Sequence, residues 1–386
     1  MSRRLFLYVQ TLLGIGHLAR AALLARSFAD AGWSVDLVSG GVPVETLATG
    51  AARLVQLPPA LSADERFSAL VDESGRPVDE AWQTARRERL LAHFAAARPD
   101  VLMLEMFPFG RRQMRFELLP LLAAARAARP RPLIVSSVRD ILQSRRKPGR
   151  AEETVALLRD SFDLVLVHGD PRLVRLEESF PLAAALGAQL AYSGYVAAPA
   201  VASGGECGRG EVIVSAGGGA VGEALLAAAL AARPLSALAR RPWRLLAGRN
   251  LPEARLAALA AAAAGGVAVE RARPDFRALL GNCHISISQA GYNTVMDVAR
   301  AGARAVLVPF VGQGETEQTL RAAKLAARGL AQMVTEAALA PRTLAAAVDA
   351  AAAMAAPDFT DLDLSGAETS VRLVETLLAS AAAGAR

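Results

Sequence analysis

Short apolar runs alternate, along the first half of the chain, with longer segments whose apolar residues recur at helical spacing. Residues 5–10 suit a buried strand, residues 18–31 have the spacing of a helix that ends at Gly32, and residues 35–39 suit the next strand. This order of elements is typical of a parallel sheet. Further strands of the same doubly wound domain are predicted at residues 101–105, 133–136, 164–168 and 190–193.

The second half repeats the pattern after an aperiodic stretch rich in Ala, Gly and Pro. Both halves open with a strand, a glycine-rich turn and a helix, which predicts two Rossmann-like domains in tandem. Strands of the second half are predicted at residues 211–215, 243–247, 267–269, 284–288, 305–309 and 331–334. The predicted divisions are an N-terminal domain at 1–197, a linker at 198–210, a C-terminal domain at 211–365, and a helix at 366–386 that packs back toward the N-terminal domain.

Composition narrows the class of protein. The 386 residues are enough for two domains with separate cores, and 53% hydrophobic with 21% charged residues excludes a disordered chain. Cys207 and Cys283 are too few for a disulfide framework or a cysteine-based zinc site, so a reducing cytoplasm is the expected compartment. No stretch is apolar enough to predict a membrane-spanning helix.

Positive charge is concentrated in one stretch of the first half. The chain has 43 Lys and Arg against 37 Asp and Glu, which gives a net charge of +6. Residues 111–150 alone have a net charge of +9, because they hold eleven Lys and Arg against Glu117 and Asp140. Leucines interleave with these charges, which suits an anionic membrane surface or a phosphorylated lipid acceptor; a solvated Arg-rich helix is the alternative. Because nearly all the basic residues are Arg, the skew is typical of a GC-rich genome, and no nucleic-acid partner is expected.

The turn after the first strand contains a candidate general base. Gly14, Gly16 and Ala19 fit the Gly-x-Gly-x-x-Ala pattern of dinucleotide-binding proteins, but the second strand ends in Ser-Gly-Gly at 39–41 instead of the acid that such proteins need. The turn still lets a ligand approach the backbone, and it sets His17 at a helix N-terminus. Histidine accepts a proton near neutral pH, so His17 is predicted to act as a base; a helix-capping or merely exposed histidine is the alternative.

Two turns in the second half predict an anion site. Gly217, Gly218 and Gly219 precede a helix, where bare backbone N–H groups could receive a phosphate, although a plain tight turn is the alternative. The second turn, residues 291–294, follows a strand and opens a helix with free N–H donors for a diphosphate. Asp297 lies one turn further, where it could accept bonds from a ribose diol, and Glu317 and Gln318 open another helix at the same sheet edge.

The spacing of these groups resembles the donor-site signature of the family 28 glycosyltransferases. The match consists of Ser-x-Ala-Gly-x-x-Thr-Val-x-Asp at 288–297, Pro-Phe at 309–310 and an acid followed by Gln at 317–318, with the turns at 14–17 and 217–219 matching two more family motifs. The best-known member adds N-acetylglucosamine to a lipid-linked muramoyl peptide. The resemblance implies an α/β protein of the GT-B fold, with two Rossmann-like doubly wound parallel-sheet domains facing a cleft.

The resemblance also assigns roles to single residues. His17 would be the essential histidine near the acceptor, with Gly14 and Gly16 on the acceptor side, and Asp297 would bind the ribose. The residues implied for the rest of the donor are Gly217, Gly218, Gly219, Gly291, Asn293 and Thr294 for the diphosphate and sugar, Glu317 and Gln318 for the sugar hydroxyls, and Arg273 and Phe276 for the base. The family has two glutamines where this chain has Glu317-Gln318, which bears on the identity of the sugar.

Four residues that follow strands of the first half are expected on the acceptor side with His17: Glu105, Arg111, Arg139 and Asp140. Glu105 or Asp140 could orient the imidazole, and a structural ion pair is the alternative. The Asp-x-Asp at 361–363 matches a metal motif of the other major glycosyltransferase fold, but it lies in a loop before a helix, where capping carboxylates are common. Neither a metal nor a cofactor is therefore expected.

These observations predict a metal-independent inverting hexosyltransferase. Its donor would be a nucleoside diphosphate sugar, UDP-linked, such as UDP-N-acetylhexosamine, and its acceptor a hydroxyl of a lipid-linked or cell-envelope glycan. The enzyme would be cytoplasmic and peripheral on the inner face of the membrane, bound through residues 111–150. The alternatives are a nucleotide-sugar hydrolase or epimerase of the same fold, a non-catalytic nucleotide-sugar-binding protein, and an NAD oxidoreductase.

Overall fold

The chain forms two compact units in a computed structural model, which describes residues 2–45, 47–64, 69–143, 148–201, 205–217, 222–312 and 315–384. Unit 1 comprises the residues up to Val196 together with those from Asp363 onward, and unit 2 is Ala197–Leu362. The last segment of the chain thus belongs to the same unit as the first.

The strands are, in chain order, β1 (Arg4–Val9), β2 (Ser34–Ser39), β3 (Arg53–Gln56), β4 (Leu61–Ser62), β5 (Leu70–Val71), β6 (Val101–Glu105), β7 (Leu133–Arg139), β8 (Leu164–His168), β9 (Leu190–Tyr192), β10 (Val212–Ser215), β11 (Trp243–Ala247), β12 (Val267–Arg271), β13 (Ile285–Ser288), β14 (Ala305–Leu307) and β15 (Gln332–Met333). The helices are α1 (Gly16–Asp30), α2 (Glu80–Ala97), α3 (Arg115–Ala127), α4 (Arg150–Ser161), α5 (Glu223–Ala232), α6 (Glu253–Ala262), α7 (Phe276–Asn282), α8 (Tyr292–Ala301), α9 (Glu317–Ala327), α10 (Pro341–Ala353) and α11 (Gly366–Gly384). Short 3-10 segments lie at Arg112–Met114, Leu176–Glu178, Pro181–Gln189, Arg233–Leu235 and Glu336–Ala338.

Each unit is built on one parallel sheet. The order in unit 1 is β3-β2-β1-β6-β7-β8-β9, and the order in unit 2 is β12-β11-β10-β13-β14-β15. Strands β4 and β5 form a separate antiparallel pair. In each sheet the order reverses beside the first strand, between β1 and β6 and between β10 and β13. The carboxyl ends of strands at such a reversal form the crevice where doubly wound proteins bind their ligands.

Alternation along β1 explains how unit 1 covers both faces of its sheet. Phe6 and Tyr8 point into a core shared with α2 and α3, whereas Leu5, Leu7 and Val9 point into a core shared with α1 and α11. Residues of a strand covered on both faces must nearly all be apolar, which is why β1 reads as one continuous apolar run. Val371 and Val374 attach α11 to this second core.

The structure confirms the predicted fold class of two doubly wound parallel-sheet units, and it adds elements that the pattern did not predict. β3 is an edge strand with two exposed residues, and the strands of the β4–β5 pair have two residues each, so none of the three has a long apolar run. In the ranges described above, no helix is long and apolar enough to cross a membrane.

Candidate active site

His17 lies at the carboxyl edge of the unit 1 sheet, in the first turn of α1. Ile15, the residue before α1, caps this helix without a side-chain hydrogen bond. The His17 side chain is 20% exposed, and its Nδ1 lies 2.8 Å from Oε1 of Glu105. Glu105 is the last residue of β6, the neighbour of β1 at the reversal of strand order, and it is fully buried. The predicted contact between His17 and a carboxylate is therefore made by Glu105.

Arg20 completes this cluster from the next turn of α1. Its Nη2 forms an ion pair with Oε1 of Glu105 and lies 3.5 Å from Nδ1 of His17. The guanidinium is 2% exposed. A buried carboxylate is tolerated only where opposite charges and hydrogen bonds compensate its desolvation, and Arg20 supplies that charge.

The pKa values assign a protonation state to the pair. Burial and the charges of Arg111 and Arg139 lower the pKa of His17 to about 4, against the opposing effect of Glu105. Burial alone would raise the pKa of Glu105, but His17, Arg20 and Arg111 hold it at about 2. At neutral pH the carboxylate is thus charged and accepts the Nδ1–H of a neutral imidazole. This tautomer, inferred from the hydrogen bond, leaves Nε2 as a proton acceptor.

The other residues expected with His17 differ in their surroundings. Arg111 follows β6 in a left-handed conformation, φ 60°, and Arg139 ends β7; both are half-buried, and both act electrostatically on His17. Asp140 is fully buried and packs so tightly that a Cβ at Gly169 would lie 2.7 Å from its own Cβ. Two guanidinium groups therefore give the surroundings of His17 an excess of positive charge.

A second buried network reinforces the same sheet edge, and the sequence did not indicate it. Arg86 of α2 donates to Glu117 of α3 through Nε (2.8 Å) and Nη2 (3.0 Å), and the Tyr8 hydroxyl lies 2.5 Å from Glu117 Oε1. Arg86 also binds Gln10 Oε1 (2.7 Å) and the carbonyl of Gly40 (3.1 Å). These bonds join the segments that follow β1 and β2. Arg86 is one of several arginines in an Ala-rich helix, and no sequence signal separates it from the half-buried Arg87 or the exposed Arg89.

Glycines shape the corresponding edge in unit 2. Gly217 follows β10 with φ +72°, and its N–H donates to Ser215 Oγ at 3.3 Å; Gly218 and Gly219 lie outside the described residues. Gly222 precedes α5 with φ +133°, where a Cβ would lie 2.5 Å from that of Ala216. A pocket of about 250 Å³ opens at the start of this helix, and it is lined by Gly222, Glu223, Ala224, Leu225, Gln289, Val308, Pro309, Phe310, Glu336 and Leu339.

The turn between β13 and α8 carries the predicted diphosphate donors. Gly291 caps α8 in an extended conformation without a side-chain hydrogen bond, so no side chain of the cap satisfies the first N–H groups of the helix. Asn293 and Thr294 lie in this first turn and are half-buried. Asp297 follows one turn later, where burial raises its pKa to about 6 against a smaller opposing effect of Arg277. Donors such as hydroxyls, when they form hydrogen bonds to a carboxylate in such surroundings, stabilise its charged form.

Glu317 and Gln318 begin α9 and make different contacts. The Glu317 side chain is 3% exposed, and its Oε1 pairs with Nη2 of Arg321 at 2.8 Å. Gln318 is half-buried, and its Oε1 accepts the N–H of Phe310 at 3.2 Å. This bond turns the Gln318 amide so that its Nε2 is the group that could donate to a sugar oxygen.

The predicted base-framing residues are also engaged within unit 2. Arg273 binds both oxygens of Asp275, at 2.8 and 2.7 Å, and lies 3.3 Å from Glu270. Phe276 packs beside Ile213, Leu246 and Leu279. In the structure, both residues therefore make their contacts with other residues of unit 2.

Acids of α4 and of the short segment before β8 neutralise much of the basic stretch 111–150. Arg112 and Arg115 both pair with Glu153, at 2.7 and 2.6 Å, while Arg126 pairs with Asp160 at 2.6 Å and Arg131 with Asp163 at 3.0 Å. A charge count confined to 111–150 misses these partners because they come later in the chain. Residues 144–147, which hold three of the basic side chains, lie outside the described residues.

The Asp-x-Asp carboxylate at 363 has the local role expected for it. Asp363 Oδ1 accepts the backbone N–H and the hydroxyl of Ser365, at 2.9 and 2.6 Å, just before α11. Among the described residues, no group of three or more His, Cys, Asp or Glu is placed to hold a metal ion.

Residues 268–375 match the sequence profile described as the glycosyltransferase family 28 C-terminal domain. No curated protein matches the chain. Among solved structures, MurG of Acinetobacter baumannii is 16% identical, with 97% of this chain and 99% of MurG covered and a TM-score of 0.61. The calicheamicin glycosyltransferase CalG4 is 17% identical, with 98% and 95% covered and a TM-score of 0.60. The spinosyn rhamnosyltransferase SpnG, solved with thymidine diphosphate, is 16% identical, with 97% and 96% covered and a TM-score of 0.58.

The fold and the profile match define the class of the protein as a glycosyltransferase of the GT-B fold. Within that class, the chain carries a family 28 C-terminal domain and is similar to MurG, which confirms the family resemblance predicted from the sequence.

Proposed function

We propose that the protein is an inverting glycosyltransferase whose unit 1 supplies the base and the acceptor site and whose unit 2 binds the nucleotide sugar. The proposed donor is a UDP-linked hexose such as UDP-N-acetylhexosamine, and the group that receives the sugar is a hydroxyl. The observation that carries this proposal is the contact of 2.8 Å between His17 Nδ1 and the buried Glu105 Oε1 at the carboxyl edge of the unit 1 sheet. A glycosyl transfer with inversion needs one base, aimed at the acceptor.

His17 would act through Nε2. In the proposed reaction, Nε2 takes the proton of the acceptor hydroxyl while the oxygen attacks the anomeric carbon from the face opposite the diphosphate. Glu105 fixes the ring through Nδ1 and stabilises the imidazolium that forms, as carboxylates do in other base-carboxylate pairs. The pKa of about 4 in the free protein means that His17 is neutral at pH 7, with Nε2 unprotonated. The protonated histidine is then stabilised by the adjacent carboxylate.

Unit 2 would bind the donor at the carboxyl edge of its sheet. The N–H groups at the start of α8 and near Gly217 would hold the diphosphate and stabilise its negative charge as it leaves. Asp297 would accept hydrogen bonds from the ribose, and the Gln318 amide would donate to the sugar. Positive helix ends and backbone donors would carry out this task, and the proposed mechanism uses no metal ion or cofactor.

The acceptor is proposed to combine a hydroxyl with an apolar part and a negative group, as a lipid-linked glycan of the cell envelope does. Leu13 and Ile15, which are 49% and 44% exposed, lie on the same turn as His17 and offer apolar contacts. Arg111 and Arg139 supply the positive charge near the base. Such an acceptor would place the enzyme at the cytoplasmic face of a membrane. Because Glu153 pairs two of the arginines on α3 and the turn before it, Leu13 and Ile15 are a better support for this location than the charge of 111–150.

A thermal-shift panel tests the donor class first. UDP, dTDP, ADP, UDP-N-acetylglucosamine and NAD are each added to the protein, and a ligand that binds only the folded state raises the melting temperature. We expect the largest shift with the UDP compounds. A shift with dTDP alone would keep the class and change the nucleotide, whereas a shift confined to NAD would contradict the proposed function.

A transfer assay then separates the enzyme from its alternatives. The protein is incubated with the best nucleotide sugar and with candidate hydroxyl acceptors, and the products are resolved by mass. Glycosylated acceptor supports transfer. Free sugar in the absence of any acceptor would indicate a hydrolase, an isomeric nucleotide sugar would indicate an epimerase, and binding without any product would indicate a non-catalytic protein.

A further inference from the structure

Arg321 is a buried cation in unit 2 that the sequence did not single out. Its side chain is 0% exposed, and it is among the largest fully buried side chains of the chain. A guanidinium in this position is costly unless hydrogen bonds and an opposite charge compensate its desolvation. The identity of its partners therefore indicates which parts of unit 2 it holds together.

The partners of Arg321 lie on both sides of Gly291. Nη1 donates to the carbonyl of Ala290 at 2.9 Å, and the guanidinium lies 5.5 Å from the centre of the Tyr292 ring. Nη2 pairs with Glu317, four residues earlier on α9, at 2.8 Å. Arg321 thus links the first turn of α9 to the residues that precede and begin α8, where the proposed diphosphate donors are located.

The two residues that begin α9 have different surroundings, which indicates different roles. Gln318 is half-buried with an amide directed by Phe310, as a direct sugar contact requires. The Glu317 carboxylate is 3% exposed, and its Oε1 is bonded to a guanidinium that is itself buried. A group in this position can influence the donor through the turn that its partner holds.

We propose that Arg321, held in place by Glu317, is a positioning residue for the diphosphate-binding turn 291–294. Glu317 then serves the diphosphate indirectly and does not contact the sugar. This inference rests on the proposed donor site. The affinity for UDP separates this indirect role from a direct contact of Glu317 with the sugar. UDP and a UDP-sugar share the diphosphate, so loss of the indirect role should weaken both ligands, whereas loss of a sugar contact should weaken only the UDP-sugar.

Calorimetric titration with UDP and with UDP-N-acetylglucosamine tests the proposal. We expect Arg321→Met and Glu317→Gln each to weaken both ligands by about tenfold, a coupling size common for residues in one buried network. The double variant should be no weaker than the weaker single variant, because either change removes the same support. Arg321→Lys should recover part of the affinity, since Lys keeps the charge but makes fewer hydrogen bonds.

Arg342→Met is the matched control, because Arg342 is an exposed arginine of α10 in the same unit. It should leave both affinities unchanged. All variants are compared with the wild type by circular dichroism, and Glu317→Gln, which preserves shape, carries the test where Arg321→Met does not fold. Unchanged UDP affinity in Glu317→Gln, with weaker UDP-N-acetylglucosamine binding, would overturn the proposal in favour of direct sugar contact. A wild type that binds no nucleoside diphosphate would overturn the proposed function itself, and this inference with it.

Discussion

The two sheet edges differ in how they achieve their proposed tasks. The edge of unit 1 is rich in buried charge: Glu105 with Arg20 and His17 in one cluster, and Arg86 with Glu117 in another. The edge of unit 2 relies on backbone groups at the starts of α5 and α8, with glycines at Gly222 and Gly291. A proton transfer needs a side chain with an adjusted pKa, whereas a diphosphate needs several donors in a fixed arrangement. The chemistry of each edge therefore fits the task proposed for it.

The two edges nevertheless share one structural solution. In each unit a fully buried arginine on a flanking helix pairs with a glutamate and also binds a backbone carbonyl that follows a strand: Arg86 binds that of Gly40, after β2, and Arg321 that of Ala290, after β13. Loops at the ends of strands have few neighbours of their own, so such contacts are an effective way to hold them. The comparison predicts that loss of these pairs affects the loops more than the sheets.

The largest expected effect follows from replacement of the base. His17→Ala should lower kcat by about 10³-fold, within the usual range for a lost general base, while the affinity for UDP stays unchanged. Transfer rates and calorimetric titration of the same preparation measure the two quantities. Retained turnover would exclude His17 as the base, and a parallel loss of UDP affinity would show that the two edges do not divide the tasks as proposed.

The second effect concerns stability. Glu117→Gln leaves Arg86 buried without its carboxylate, and loss of one partner of a buried pair costs roughly 3–5 kcal/mol. Urea denaturation should therefore show a lower free energy of unfolding for this variant than for Glu153→Gln, whose carboxylate is 43% exposed. Equal effects of the two substitutions would show that the Tyr8–Glu117–Arg86 network is not a main support of unit 1.

Particular residues show what the sequence could predict. The central strands of both sheets appear as apolar runs because they are covered on both faces, and the first turn of α8 is recognisable from its glycine and polar residues. The pairing of Glu317 with Arg321 is different. A spacing of four residues is visible in the sequence, but the same spacing on an exposed helix face gives a weak surface pair. Whether such a pair is buried depends on which face of α9 meets the β13–α8 turn, and only the fold determines that.

The basic stretch is a second case. The net charge counted along the chain is +9 for residues 111–150, but folding brings Glu153, Asp160 and Asp163 against this stretch.

The Ser-Gly-Gly sequence at the end of β2 is a similar case. It showed that the acid of dinucleotide-binding proteins is absent from this position, but it did not explain why glycines are present. In the structure, a side chain at Gly40 would collide with Gln10 and Arg86. Long-range contacts of this kind leave no periodic trace in the sequence.

The third prediction concerns the pH dependence of donor binding. Asp297 has a raised pKa of about 6 in the free protein, and its charged form accepts ribose hydrogen bonds best. As the pH falls through 6 the carboxylate takes up a proton, so affinity should fall, by about tenfold between pH 7.5 and 5 if only the charged form binds. UDP-N-acetylglucosamine is the suitable ligand, because its doubly esterified diphosphate does not titrate in this range.

Asp297→Asn is the control for that measurement. Asn cannot titrate, so its affinity should be lower than that of the wild type at pH 7.5 and nearly constant down to pH 5. A wild-type affinity that is also constant over this range would contradict the assignment of Asp297 to the ribose. Because His17 has a pKa of about 4, its protonation should contribute little to binding above pH 5.

The smallest expected effect concerns Arg112 and Arg115. It tests whether their pairing with Glu153 prevents them from attracting an anionic membrane surface. Glu153→Gln removes the partner of Arg112 and Arg115, and this exposed cluster should contribute less than about 1 kcal/mol to stability. Binding to vesicles with anionic lipid should instead increase by about fivefold, because one negative charge near the surface is worth roughly 1 kcal/mol. Co-sedimentation with anionic and neutral vesicles measures this difference. Unchanged binding in both would show that this face of unit 1 does not meet a membrane, and it would leave the turn with Leu13 and Ile15 as the surface to substitute next.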